Sequence, residues 1–152
     1  MRILFGSRRG NSMIEFALAA PLTFAIMAGT FQFGYAFYVY NQLQLSVRSA
    51  VRYGSRMDYK GTSTACIASS VDTVKNMVVY GTPTAGTTPV VRGLSKTNVT
   101  VNFNGDVKAV PTTVTVSIAG FAVNALFTTF TFNQKPMASI PYVGRYSPVE
   151  CE

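Results

Sequence analysis

The stretch FALAAPLTFAIMAGTFQFGYAFYVY, residues 16–40, decides the fold of this chain. From Phe16 to Phe31 every residue is apolar or small, apart from the hydroxyls of Thr23 and Thr30, and the apolar pattern resumes after Gln32. About 25 residues of helix extend roughly 37 Å, which is enough to cross a bilayer core of about 30 Å. The sequence therefore predicts a single transmembrane helix over about residues 14–40.

The residues on either side of this segment predict its orientation. Three arginines lie on the short N-terminal side, Arg2, Arg8 and Arg9, and the positive-inside rule places that side in the cytoplasm. Aromatic residues cluster between 35 and 40, where the aromatic belt of the outer interface would lie. The chain after about Tyr40 is therefore expected outside the cytoplasm.

The helical pattern continues beyond the apolar stretch. Leu43, Val47 and Val51 follow helical spacing, whereas Arg48, Arg52 and Arg56 repeat every fourth residue on another face. We expect one helix from about Met13 to Tyr53, roughly 60 Å long, with Gly54 as its C-cap. The arginine row is either a solvated face that can contact anionic headgroups or a surface that pairs with acidic groups of neighbouring subunits.

The second part of the chain changes character after a polar break. Apolar residues at helical spacing predict a short amphipathic helix over 66–81, and a Thr, Pro and Gly-rich loop follows. β-Branched and aromatic residues predict three strands, at 98–103, 112–118 and 127–132, in an antiparallel meander with a fourth edge strand near 89–94. The tail from Ser139 is expected to be an ordered loop. The predicted fold class is α+β: a long N-terminal transmembrane α-helix followed by a small globular domain with a short helix and a three- to four-stranded antiparallel β-sheet.

Composition excludes several functional classes. Hydrophobic residues make up 48% of the 152-residue chain and charged residues 12%, about half the charged share of a typical soluble domain. The net charge of +7 is dispersed, so no basic face for nucleic acid is expected. The chain has no histidine and only six acidic residues, and no nucleophile and base, phosphate-binding loop or carboxylate pair stands out. We therefore expect no enzyme activity, no metal site and no cofactor.

Two cysteines are far apart in the sequence, Cys66 and Cys151. In an oxidising compartment we expect them to form a disulfide, and two buried reduced thiols are the alternative. A disulfide would join the extreme C-terminus to the start of the domain outside the membrane. Closing so long a loop contributes about 4–5 kcal/mol in the chain-entropy model.

The boundary of the apolar segment carries an unusual signal. An ordinary secretory signal ends in an A-x-A cleavage site, but here the match, Ala17 to Ala19, lies at the start of the apolar run. The segment is therefore expected to stay in the mature protein. Upstream, Gly10 is followed by NSMIEF, with Glu15 fifth after the glycine. This arrangement resembles the class III leader of type IV prepilins, which a prepilin peptidase cuts after the glycine.

Three blocks extend this resemblance: E-F-A-L-x-x-P-L at 15–22, F-G-Y-A at 33–36 and A-V-R-Y-G-S at 50–55. With them the first third of the chain resembles the TadE-like family of pilin-like proteins from tight-adherence (Tad) pilus systems. The resemblance implies a pseudopilin of the bacterial inner membrane that reaches the surface pilus and supports adhesion. Its implied partners are a prepilin peptidase, the inner-membrane Tad assembly platform and other pilin-like subunits.

Carried onto this sequence, the resemblance makes Gly10 the residue before the cut, Asn11 the new N-terminus and Glu15 the fifth mature residue. Many pilins have Phe or Met where this chain has Asn11. The implied organisation is a leader at 1–10, a long helix at 11–57 and an outer domain at 58–152. Because this outer domain is large beside the very short major pilins of Tad systems, a minor subunit is expected. The alternatives are a main filament-forming subunit and an uncleaved single-pass anchor for a binding domain.

Glu15 and Pro21 are expected to have specific roles in the helix. A carboxylate at the edge of an apolar segment is costly unless it is paired. Glu15 can pair with the ammonium that cleavage creates on Asn11, in its own chain or in a neighbouring subunit, and so set the register of packed helices; alternatively it lies in the headgroup zone and favours the helix dipole. Pro21 removes one helical hydrogen bond and is expected to produce a functional kink or a plain bend.

Overall fold

The computed structural model describes residues 9–60, 63–105, 110–124 and 128–146. In these residues the chain forms two α-helices, one 3₁₀ turn at Lys96–Asn98 and five strands. The helices are α1 (Arg9–Gly54) and α2 (Thr64–Tyr80). The strands are β1 (Val99–Asn104), β2 (Thr113–Ile118), β3 (Phe121–Asn124), β4 (Thr129–Phe132) and β5 (Met137–Pro141).

Helix α1 confirms the predicted long helix and begins four residues earlier than expected. Its 46 residues extend about 69 Å at 1.5 Å per residue. The predicted C-cap glycine, Gly54, is instead the last helical residue, and its φ is not positive. A Cβ at Gly54 would lie 3.0 Å from Val74 Cγ2 and 3.4 Å from Val114 Cγ1. Glycine is therefore needed here because α1, α2 and β2 approach one another closely.

Helix α2 confirms the predicted amphipathic helix and shows both of its end signals. The Ser63 side chain accepts a hydrogen bond from the Cys66 N–H, at 3.2 Å, as an N-cap does. At the other end Gly81 adopts φ 74° and donates its N–H to the Met77 carbonyl, at 3.1 Å. This left-handed cap is the reason that the helix ends where the glycine predicts.

The described strands form two antiparallel sheets. β1, β2 and β5 form one sheet with β2 in the centre, and β3 pairs with β4 in a separate hairpin. Along β2 the residues Val114, Val116 and Ile118 are buried, while the alternate residues face the other side. Both α-helices pack on the buried face, α1 against β2 and β5, and α2 against β1. The α+β class is therefore confirmed.

The strand order differs from the predicted meander. The predicted strand 127–132 contributes β4 to the separate hairpin, and the third strand of the main sheet is β5, which the sequence reading placed largely in the loop tail. Residues 89–94, all described, contain turns and no strand. β5 lies at the edge of the sheet, where Pro141 is tolerated because its missing N–H breaks no central ladder.

The hydrophobic core packs the C-terminal half of α1 against the rest of the chain. Leu43, Val47 and Val51 of α1 are buried and pack with valines of α2 and of the main sheet. The predicted apolar face of the helix is therefore confirmed. Cys66 is also buried, whereas Cys151 lies outside the described residues, so the disulfide stays a prediction.

A tyrosine cluster attaches the C-terminal segment to the chain that follows α1. The Tyr142 hydroxyl accepts a hydrogen bond from the Tyr59 N–H, at 3.1 Å. It donates to the carbonyl oxygen of Met57, at 2.7 Å, or of Arg145, at 2.8 Å. Burial raises the pKa of Tyr59, as does the neighbouring Tyr146, and burial also raises the pKa of Tyr142. The tail is therefore ordered at least as far as Tyr146.

Candidate assembly surface

The N-terminal part of α1 is exposed over most of its surface. Every residue from Ser12 to Met27 is exposed except the half-buried Ala20, and Phe16, Leu18 and Phe24 keep more than 70% of their surface accessible. We call residues 12–27 the bare segment. Among the described residues, the helical stretch Ser12–Gly54 is long and apolar enough to cross a membrane. Such a surface needs lipid or other helices around it.

Above the bare segment, one side of α1 is covered by the β3–β4 hairpin and the core. The buried residues Ala28, Gln32, Val39 and Leu43 follow one another at intervals of four or seven. The ring of Phe130 lies 6.2 Å from that of Phe33 between centroids, and that of Phe132 lies 5.7 Å from Tyr40. One side of α1 is therefore covered as far as Ala28, with the hairpin at the level of Phe33, inside the predicted span of 14–40.

The other side of α1 stays open at the same height. Phe37 and Tyr38 are both at least 60% exposed. A Cβ built on Gly29 or Gly34 would meet nothing within 4 Å. These glycines are therefore not required by packing within the described part of the chain, and they leave room for a neighbouring helix to approach.

The predicted cleavage site lies at the very start of α1. The backbone of Gly10 and Asn11 is helical, and their side-chain surroundings lie outside what the structure describes. Glu15 is exposed and follows Asn11 by four residues, which places the two on one face about 6 Å apart along the axis. This spacing allows a carboxylate at Glu15 to reach an ammonium at Asn11.

The helix passes through Pro21 without ending. Proline has no N–H, so the carbonyl of Ala17 loses its helical donor. The two threonine hydroxyls of this region donate to the helix itself, Thr23 to the Ala19 carbonyl at 3.0 Å and Thr30 to the Ile26 carbonyl at 2.9 Å. These bonds keep the hydroxyls satisfied in an apolar environment.

Arg48 and Arg52 of α1 and Arg56 of the turn that follows it are exposed, as their spacing predicts. Arg52 and Arg56 both line two neighbouring cavities, of about 380 and 410 Å³. An ion pair joins Lys96 and Asp72, at 2.9 Å, and Arg48, Arg52 and Arg56 form none with another described residue. Arg48 stands sixteen residues, about 24 Å, above Gln32 along the helix axis.

Comparison with known families now decides what this helix is similar to. Residues 10–52 match the family model described as TadE-like protein. The TadE-like segment starts at the predicted cleavage glycine and ends two residues before α1 does. The predicted resemblance is therefore confirmed over these residues, and it associates the chain with pilin-like proteins of Tad pili, a family of pilus structural proteins. Searches of curated proteins and of solved structures give no significant match.

The sequence did not predict that the β3–β4 hairpin packs along part of the TadE-like segment. The β3–β4 hairpin packs Phe121 and Val123 inward and leaves Ala122 and Asn124 exposed. The alternation of FAVN and TFTF, four residues each, was the available signal. Nothing in that alternation indicates that the hairpin lies along α1, because the contact depends on the whole fold.

Proposed function

We propose that this chain is a minor pilin-like subunit, or pseudopilin, of a Tad-type pilus. One observation supports the proposal most strongly. The TadE-like match coincides with a helix that is exposed and apolar over the bare segment and packs into the folded core over residues 43–51. Such a helix can reside in a membrane first and pack among other helices later. The outer domain then stands outside the cytoplasm, with the N-terminus inside.

The covered stripe of α1 favours a shorter span than the sequence indicates. Twenty residues of helix cover a bilayer core of about 30 Å. A span from about residue 13 to residue 32 includes the bare segment and ends within the stretch where burial of one side of α1 begins, at Ala28 and Gln32. Tyr35 and Tyr38 then lie just outside the hydrocarbon, where tyrosine is favoured.

Processing after Gly10 would prepare the helix for assembly. The cut leaves an ammonium on Asn11, four residues before Glu15. In the membrane this amine can pair with Glu15 of its own chain, and in a filament with Glu15 of a neighbouring subunit. Because a wrong axial position leaves both charges unpaired in an apolar environment, the pair sets the register of the packed helices.

Assembly would transfer the bare segment from lipid to other helices. The open surfaces at Gly29 and Gly34 allow the close approach that packing without a hydrophobic driving force needs. The proposed partners are other pilin-like subunits and the inner-membrane assembly platform of the Tad system. The size of the outer domain supports a minor position in the pilus over the main shaft.

Intact mass after co-expression with a prepilin peptidase tests the processing step. We expect the chain to lose residues 1–10 and to begin at Asn11. Gly10→Val should block the cut, and Gly6→Val, a matched change within the same leader, should leave it unaffected. Met1 retained in cells that make pili would contradict processing and favour the uncleaved anchor.

Counting subunits in purified pili tests the minor role. We expect this chain to be far less abundant than the shaft subunit, and its deletion to reduce pilus number. Filaments formed by this chain alone would instead show that it is a main subunit.

A further inference from the structure

A tight turn presents an arginine beside α1. The Leu94 N–H donates to the Val91 carbonyl at 3.0 Å, and Gly93 adopts φ 86°, as the third residue of a type II turn does. Val91 and Leu94 are buried and fix the turn at both ends, whereas Arg92 and Gly93 are exposed. The arginine is therefore held on a short, anchored piece of backbone.

This turn closes one side of a cavity of about 420 Å³ between β3 and α1. We call it the turn cavity. Tyr35 and Val39 line it from α1, and Phe121 and Asn124 from β3. Among the described lining residues Arg92 is the one charged group, and within the described chain it forms no ion pair. The cavity thus combines one cation, a phenol and an amide with apolar walls.

The height of the turn cavity along α1 identifies the class of ligand. If the span ends at Gln32, Tyr35 lies about 4.5 Å beyond the hydrocarbon boundary. Headgroups occupy roughly 5–7 Å on each side of the hydrocarbon core. The end of the cavity that Tyr35 lines therefore lies at the height of the lipid phosphates, and a guanidinium is well suited to bind a phosphate through paired N–H donors.

We propose that the turn cavity binds the headgroup phosphate of a phospholipid in the outer leaflet of the membrane that α1 spans. Arg92 binds the phosphate, and Tyr35 and Asn124 donate to it. The inference rests on the membrane anchoring in the proposed function. The bound lipid holds the hairpin against the bilayer, and it has to leave when the subunit leaves the membrane.

Native mass spectrometry of the full chain, released from mixed micelles of detergent and phosphatidylglycerol, tests this site. We expect the wild type to retain one phospholipid, Arg92→Gln to reduce its occupancy at least tenfold, and Arg92→Lys to fall between them. Arg48→Gln is the matched control, because Arg48 is an exposed arginine about 20 Å higher on α1. It should retain lipid as the wild type does. Tyr35→Phe, which removes one hydroxyl, should lower occupancy severalfold.

Two further arms identify the source of the phosphate. Diacylglycerol, which has no phosphate, should not be retained, and millimolar inorganic phosphate should not displace the lipid. Displacement by inorganic phosphate would overturn the lipid assignment. Equal retention by Arg92→Gln and the wild type would overturn the site itself.

Carbonate extraction of membranes separates this proposal from the anchor on which it rests. We expect the wild type and both arginine variants to stay in the membrane pellet. Release of the wild-type chain would contradict the anchor, and the lipid site with it. A retained chain whose lipid occupancy does not depend on Arg92 would overturn the lipid site alone.

Discussion

Glu15 is the residue on which the assembly proposal depends most. We expect Glu15→Gln to insert into the membrane and fold normally, because the side chain is exposed and remote from the core. Incorporation into pili should fall at least tenfold, since the neutral amide cannot form an ion pair with the Asn11 ammonium. Quantitative immunoblotting of sheared pili and of membranes measures both. Asp58→Asn, which removes an exposed acid of the outer domain, is the control, and unchanged piliation in Glu15→Gln would refute the register role.

Tyr142 links two distant segments through one hydroxyl. Tyr142→Phe keeps the ring but leaves the Tyr59 N–H and the Met57 carbonyl without this partner. We expect a loss of about 1 kcal/mol in the free energy of unfolding, because the part-buried hydroxyl loses its hydrogen bonds while the Tyr59 N–H still donates to the Arg145 carbonyl, at 2.9 Å. Urea denaturation in detergent measures it. Tyr38→Phe, which changes a 60% exposed tyrosine, should cost far less, and equal effects would contradict the structural role.

The same cluster predicts how stability depends on alkaline pH. Burial raises the folded-state pKa of Tyr59 and Tyr142 above the ordinary value of 10.0. Above that value the unfolded chain releases these protons before the folded chain does, so the stabilisation is complete below about pH 10 and is lost as pH rises through the folded pKa values. Thermal unfolding followed at rising pH should show a lower Tm above pH 10. The decline should be shallower in Tyr142→Phe, and an equal decline would contradict this assignment.

At the scale of the elements, α1 uses its glycines in two different ways. A Cβ at Gly54 would meet Val74 at 3.0 Å, whereas one at Gly34 would meet nothing. We therefore expect Gly54→Ala to destabilise the outer domain by about 1–3 kcal/mol and Gly34→Ala to leave it unchanged or slightly more stable. Circular dichroism during urea unfolding measures both changes.

Assembly should respond to these glycines in the opposite way. Gly34→Leu fills a space that is open in the single chain, so it should reduce incorporation into pili without lowering the stability of the outer domain. Normal piliation by Gly34→Leu would show that no neighbouring helix approaches α1 there.

Helices were easier to predict than strands for identifiable reasons. The spacing of Leu43, Val47 and Val51 predicts the core face of α1, and Gly81 predicts the end of α2. Both predictions succeed because each depends on neighbouring residues alone. β5 was missed because Pro136 and Pro141 bracket it and such residues usually indicate a loop. An edge strand accepts them, but whether a strand lies at the edge depends on the sheet and not on the segment.

The residues of the candidate sites also differ in whether the sequence could predict them. The apolar run and the residues Gly10 and Glu15 are legible in the sequence because the signal is short and contiguous. Arg92 is a single arginine after a Thr, Pro and Gly-rich loop, with no pattern around it. Only the fold brings it beside Tyr35, which lies 57 residues earlier in the chain.

At the scale of the whole molecule, the height of each feature along α1 decides which partner it can reach. With the span ending near Gln32, the arginine row begins about 24 Å above the hydrocarbon. Arg48, Arg52 and Arg56 are then too far from the headgroups to contact them. The arginine row is therefore either a solvated face or a surface that pairs with a neighbouring subunit. On the same assumption, Arg92 lines the turn cavity together with Tyr35, which lies about 4.5 Å beyond the hydrocarbon.

The two ends of the outer domain supply the last prediction. Cys66 is buried at the start of α2, and Tyr146 of the C-terminal segment pairs with Tyr59. A Cys66–Cys151 disulfide would close a loop that holds nearly the whole outer domain, and we expect about 4–5 kcal/mol of stabilisation from the lower entropy of the unfolded chain. A reducing agent should therefore lower the Tm of the wild type and leave that of Cys151→Ser unchanged. Mass analysis of non-reduced protein from the native envelope provides the direct check, since two free thiols there would exclude the bond, whereas a mass lighter by two hydrogens would establish it.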